Sequence, residues 1–159
     1  MNIVFKNIYE QKDEALKQKV ISFWAALNAI PPQVDINARA NELVFMALDN
    51  DQVIGVTTAQ RAKIKQLNDN YFYAFRTLIH PDYRIPGLVD KLAVLTRDYF
   101  GALYQEQKTD CIGLITLVEN EQMKQQRREA VYPSTGFVFI GRSKAGHHLR
   151  VCYFPGAKI

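Results

Sequence analysis

The chain has 159 residues, a formal net charge of +4, and 48% hydrophobic, 23% charged and 11% aromatic residues. That is enough apolar material for one well-buried core and too little for two, and it excludes a disordered, fibrous or low-complexity chain. No apolar run approaches the roughly 20 residues of a membrane helix and no apolar secretion segment opens the sequence, so the expectation is one cytoplasmic domain over residues 1–159.

In chain order, residues 3–8 predict a first strand, and residues 10–13 supply an acidic, solvated helix entry. Leu16, Val20, Phe23, Trp24 and Leu27 recur at helical spacing, with the Pro31, Pro32 pair as the expected stop. A short helix is expected within 34–41. Residues 42–48 and 52–58 are β-prone and flank Asp49, Asn50 and Asp51, which predicts a hairpin. The polar stretch 62–70 reads as a loop, and the aromatic run 71–79, bounded by Pro81, as a strand inside the sheet.

Pro86 suits a first helical position, and Leu88, Leu92, Leu95, Tyr99 and Leu103 then mark one face of a helix of about five turns. Residues 111–118 are almost all apolar, as expected of a strand buried on both faces or parallel to its neighbour. A polar helix is expected over 120–132, and strands at 137–140 and 149–154 frame a last hairpin around 144–146. The order predicts an α/β (α+β) fold, a mixed sheet with helices packed on it. Cys111 and Cys152 lie in apolar strands without metal-ligand or C-x-x-C spacing and read as buried thiols.

The stretch richest in chemistry joins a strand to a helix and reads L-I-H-P-D-Y-R-I-P-G-L-V-D-K-L from Leu78 to Leu92. A helix N-terminus leaves several N–H groups unpaired and carries about half a positive charge, so it can receive a pyrophosphate, and glycine lets phosphate oxygens approach the main chain. The bland alternative is a plain strand-to-helix turn. The stretch resembles the central motif of the GNAT superfamily of acyl-CoA-dependent N-acyltransferases, in which a strand ends in apolar-x-Pro and runs into R/Q-x-x-G-x-G/A before a helix. Arg84 and Gly87 match, Val89 stands where the family has Gly or Ala, and Pro86 carries no N–H.

The resemblance implies a GNAT-like, mostly antiparallel sheet of about seven strands with helices on both faces. It also implies acetyl-CoA, or another acyl-CoA, as co-substrate, with its pyrophosphate held around Arg84, Gly87, Leu88 and Val89. Backbone N–H groups of Leu78 and Ile79 would polarise the acyl carbonyl. A second likeness, A-V-Y-P-S-T-G-F at 130–137, puts Tyr132 at the position of a tyrosine that can protonate the leaving thiolate; the alternative is a tyrosine that caps the core. Asn120 resembles an asparagine that meets the pantetheine arm, and a plain helix N-cap explains it equally well.

The acceptor amine must lose a proton, and the strand position where some members carry a carboxylate holds Tyr73; His80, Glu119, Glu129 or water are the substitutes. Arg76 interrupts an apolar strand and must reach water, a carboxylate or an anionic ligand, an ion pair being the more frequent outcome. His147 and His148 read as strand-edge surface, so no metal is expected.

The function so implied is transfer of an acetyl or other short acyl group from acyl-CoA to a primary amine by direct attack. The alternative is a catalytically degenerate binding module for a metabolite, peptide or partner protein. Expected partners are acyl-CoA and an amine acceptor, with a homodimer left open and no membrane. Nucleic acid is disfavoured, because Lys124, Arg127 and Arg128 alternate with Glu121 and Glu129 on one predicted helix.

Overall fold

The computed structural model describes all 159 residues. The elements run β1 (Ile3–Asn7), α1 (Glu14–Ala26), α2 (Ile36–Ala40), β2 (Leu43–Asp49), β3 (Gln52–Ile64), β4 (Asn70–Ile79), α3 (Leu88–Gln105), β5 (Cys111–Val118), α4 (Glu121–Gln126), β6 (Val138–Arg142) and β7 (His148–Tyr153). The strands form one mixed sheet in the order β1-β2-β3-β4-β5-β7-β6. β4 and β5 are parallel, whereas the β1–β2, β2–β3, β5–β7 and β6–β7 pairs are antiparallel. The chain packs as two compact units, Met1–Ala59 with Thr77–Thr96, and Gln60–Arg76 with Arg97–Ile159.

In the first unit, Asp13 caps α1 by accepting from the Leu16 amide at 2.8 Å. The helix does not run on to the prolines. It closes at Asn28, whose left-handed φ of 50° lets the Asn28 and Ala29 amides donate back to Ala25 and Trp24, a Schellman arrangement that satisfies carbonyls at the helix end. Val20, Phe23 and Trp24 pack into a core with Leu43, Met46 and Val56. The β2–β3 turn is built by Asn50 (φ 48°) and Asp51 (φ 65°), residue types that tolerate the positive φ of a tight hairpin.

The first half of α3 belongs to this unit, and its buried stripe differs from the expected one. Leu88 and Leu92 are buried as expected, but Thr96 rather than Leu95 continues the i, i+4 row. The threonine is admitted because its hydroxyl donates to the Leu92 carbonyl (2.9 Å) and lies 3.0 Å from the Thr57 hydroxyl, which accepts from the Phe45 amide. Gly55 keeps β3 thin under this helix, since a Cβ there would stand 2.8 Å from Ile79 Cδ1 and 3.3 Å from Leu92 Cδ1.

In the second unit, the two ends of the expected 62–70 loop are strand. β3 continues to Ile64, and a 3-10 turn at Lys65–Leu67 with left-handed Asn68 and Asp69 leads into β4. Polarity misleads here because the ribbon is held from outside: the Arg61 guanidinium lies 3.6 Å over the Tyr71 ring and its Nε donates to Asp110 at 2.9 Å. Phe100 continues the α3 stripe and stacks on Tyr73 with ring centroids 3.8 Å apart; Tyr99 and Leu103, expected on the inner face, are only half-buried.

β5 is sandwiched closely against β7 at Gly113, where a Cβ would stand 2.4 Å from the Cys152 carbonyl oxygen. Backbone cannot yield as a flexible side chain can, so Gly113→Ala is expected to cost about 3 kcal/mol, read as a lower urea midpoint with an unchanged slope. No helix is long and apolar enough to cross a membrane.

Candidate functional site

The β4–α3 connection lies wholly in the first unit. Ile79, at the end of β4, is 4% exposed, and the His80 amide donates to the Ile54 carbonyl at 2.7 Å. Alternate amides along a strand point to opposite edges, so the Ile79 amide faces the edge away from β3. Pro81–Tyr83 then forms a 3-10 turn in which the His80 Nδ1 accepts from the Asp82 amide (3.1 Å). The Tyr83 hydroxyl donates to Asp49 (2.9 Å), which ties the turn to the end of β2 and raises the phenol's pKa.

The helix begins at Leu88, not at Pro86, because Gly87 takes a left-handed φ of 86° that no helical residue has. The Leu88 amide turns back to Ile85 (3.4 Å) and the Lys91 amide to Gly87 (2.9 Å), whereas the amides of Arg84, Gly87 and Val89 make no hydrogen bond within the protein. Arg84 is exposed and without an ion pair, Val89 is half-buried, and Leu88 is a core residue at 4% exposure. Around Gly87 no atom beyond its two chain neighbours lies within 4 Å of where a Cβ would be. The connection therefore presents two unpaired N–H groups at the helix start, an open space beside them and a free guanidinium three residues before Gly87. That is the donor set an anionic phosphate ester requires.

The second unit holds the other expected site residues. Asn120 is a helix cap: its Oδ1 accepts from the Met123 amide at 3.0 Å, which leaves its side-chain NH2 for other use. The expected helix over 120–132 is confined to Glu121–Gln126. Beyond it the chain is drawn onto the sheet by Arg150, which is 1% exposed and donates to the carbonyls of Arg127 (3.4 Å), Ala130 (3.4 Å) and Phe137 (3.3 Å). Tyr132 is 5% exposed, with Arg150 at 3.6 Å and Arg127 at 4.2 Å from its ring centroid, and its buried hydroxyl has no hydrogen-bond partner.

Arg150 escaped the sequence reading although it carries the signal that singled out Arg76, a charge between apolar strand residues. Arg76 itself is exposed and forms no ion pair, contrary to the more frequent outcome for a charge on a strand.

Tyr73, at the expected carboxylate position, is buried, and its hydroxyl lies 2.7 Å from Thr109. Glu119 and Glu129 are exposed. Both thiols are buried, and burial pushes that of Cys111 up to about 11 and that of Cys152 in the same direction. No three His, Cys, Asp or Glu side chains gather as a metal site.

No protein-family model matches the chain, and no curated protein matches its sequence. Solved structures do match its backbone. A GNAT-family acetyltransferase from Streptococcus pneumoniae superposes with a TM-score of 0.68 at 12% identity, over 96% of this chain and 99% of that one. The fold is that of the GNAT acetyltransferases. Arabidopsis thaliana NAA60, solved in complex with acetyl-CoA, matches with a TM-score of 0.68 at 16% identity over 96% and 99% of the two chains. The ribosomal-protein-S5-alanine acetyltransferase from Vibrio fischeri matches with a TM-score of 0.63 at 11% identity, over 100% of this chain and 97% of the other. At such identities the shared property is the fold.

Proposed function

We propose that the chain is an acyl-CoA-dependent N-acyltransferase that moves an acetyl or other short acyl group to a primary amine by direct attack. The observation that carries this reading is the pair of unbonded amides at Gly87 and Val89, with exposed Arg84 close by in sequence. Two N–H groups at the positive end of an 18-residue helix, next to a glycine with open space, suit the pyrophosphate of coenzyme A. Pro86 removes one donor, and Arg84 supplies a charge-assisted contact in addition. NAA60 and the Salmonella typhimurium putative acetyltransferase yncA, both matching structures solved with acetyl-CoA, support the same ligand class.

Acyl-CoA supplies the activated acyl carbon. The Ile79 amide, turned away from β3, would donate to the thioester oxygen as negative charge grows there. The amine nitrogen bonds to the acyl carbon, the carbon–sulfur bond breaks, and the thiolate takes a proton, the role that the resemblance of the 130–137 stretch gives to Tyr132. The amine's own proton leaves to water or to His80, since Tyr73 offers no carboxylate. Holding the reactants in line can contribute up to about 7–11 kcal/mol, so no covalent enzyme intermediate is required.

A second reading, a binding module without turnover, is favoured by one feature, the buried phenol of Tyr73 where a base would stand. Release of free thiol from acetyl-CoA, followed with a thiol reagent in the presence of a panel of primary amines, separates the two. Amine-dependent release is the expected result. Binding of acetyl-CoA with no amine-dependent release would leave the module.

A further inference from the structure

Within the second unit, β6, β7 and α4 bring several cations together. Arg142 stands directly opposite His148, and Phe139 opposite Arg150. Paired residues share a face and alternate residues of a strand return to it, so these four side chains rise from one side of the β6–β7 ribbon. The Phe139 ring meets the edge of the His148 ring with centroids 5.2 Å apart, and the Arg150 guanidinium lies 5.9 Å from the same phenyl ring. From α4, the Lys124 ammonium lies 3.4 Å from the adjacent His147 ring. Desolvation first, and then Arg142, Arg150, Lys124 and Arg128, hold the His148 imidazole below its ordinary pKa, so four cations act on one ring.

Like charges on neighbouring positions repel, and the carboxylate at hand is taken: Glu121 pairs with Lys124 at 2.6 Å. The Arg128 and Arg142 guanidinium groups are exposed and form no ion pair or hydrogen bond. Two enclosed polar atoms on the same face also lack a partner, His148 Nδ1 and the Nε of Arg150, a residue only 1% exposed. A doubly charged oxyanion answers both conditions. Its oxygens can accept from two guanidinium forks, and its charge favours a protonated imidazole as a further donor. A carboxylate, with one charge and two oxygens, would be satisfied by a single arginine. We propose that this face of the β6–β7 ribbon binds a phosphate dianion, free or esterified, through Arg142, Arg128 and His148, with Phe139, 40% exposed, bordering it where an ester's organic group would lie. These residues all belong to the second unit, and the site involves neither Gly87 nor Val89 of the first.

The test is an NMR titration of the full chain at low ionic strength, with inorganic phosphate, phenyl phosphate and benzoate as probes and the His148 ring protons as reporter. Both phosphates are expected to give saturating shifts and to bind about tenfold tighter than benzoate. Joint Arg142→Gln and Arg128→Gln substitution is expected to weaken phosphate binding by about tenfold or more, while Arg142→Lys alone keeps part of the affinity. Both arginines are exposed, so thermal unfolding of these variants is expected to match the parent. Tighter binding of phenyl phosphate assigns the site to an ester, and equal binding assigns it to free phosphate; either supports the site. Gly87→Ala is expected to leave the His148 titration unchanged, which separates this site from the one proposed for coenzyme A. Shifts that never saturate, benzoate bound as tightly as phosphate, an affinity that survives loss of both arginines, or one that falls with Gly87→Ala would each overturn the proposal.

Discussion

Gly87→Ala is expected to weaken acetyl-CoA binding by at least about 30-fold while lowering the stability of the protein by only about 1 kcal/mol. The two effects separate because of what surrounds the residue. Gly87 has a φ of 86°, so alanine there carries the modest cost of a left-handed backbone, and no atom beyond its two chain neighbours lies within 4 Å of the added methyl. The fold therefore tolerates it. A phosphate drawn to the Gly87 and Val89 amides would meet that methyl directly, and the donors would be pushed out of hydrogen-bond range. Calorimetric titration with acetyl-CoA and urea unfolding measure the two numbers. Unchanged affinity in a folded Gly87→Ala protein would place the coenzyme elsewhere.

The second large effect concerns Arg150, whose guanidinium is 1% exposed and has carbonyls in place of a carboxylate as partners. Arg150→Ala removes donors to three carbonyls in the 127–137 segment, unstacks Tyr132 and opens a cavity, so a loss of about 3 kcal/mol is expected, or about 6–12 °C in Tm for a chain of this size. Arg150→Met restores most of the volume without the donors, and its loss is expected to be about half as large. Thermal unfolding of both variants checks this. A methionine variant more stable than the parent would show that the buried charge is a net burden and not the anchor of the segment, an outcome known for buried ionic groups elsewhere.

The strand-to-helix chemistry could be read from the chain because it is local. Asn50 and Asp51 announce the β2–β3 turn, and Pro81, Arg84 and Gly87 mark the end of β4 and the entry to α3, all within a dozen residues of the feature they build. What escaped depends on residues distant in sequence. Thr96 is a core residue only because Thr57, 39 positions earlier, meets its hydroxyl. β3 continues through the polar stretch after Gln60 only because Arg61 finds Asp110, 49 positions later. The 120–132 helix stops after Gln126 because Arg150 on β7 claims the carbonyls beyond it, and helical periodicity contains no trace of that competition. Tyr132 could be placed by likeness to a motif, but that it sits between two guanidinium groups with its hydroxyl unbonded follows from the fold alone.

The most direct test of the account reads the amides themselves. In a proton–nitrogen NMR titration with coenzyme A, the Gly87 and Val89 amide protons are expected to move downfield and saturate together at micromolar ligand, as new hydrogen bonds to phosphate oxygens form. Coenzyme A that binds while those two resonances stay in place, or that does not bind at millimolar concentration, would contradict it.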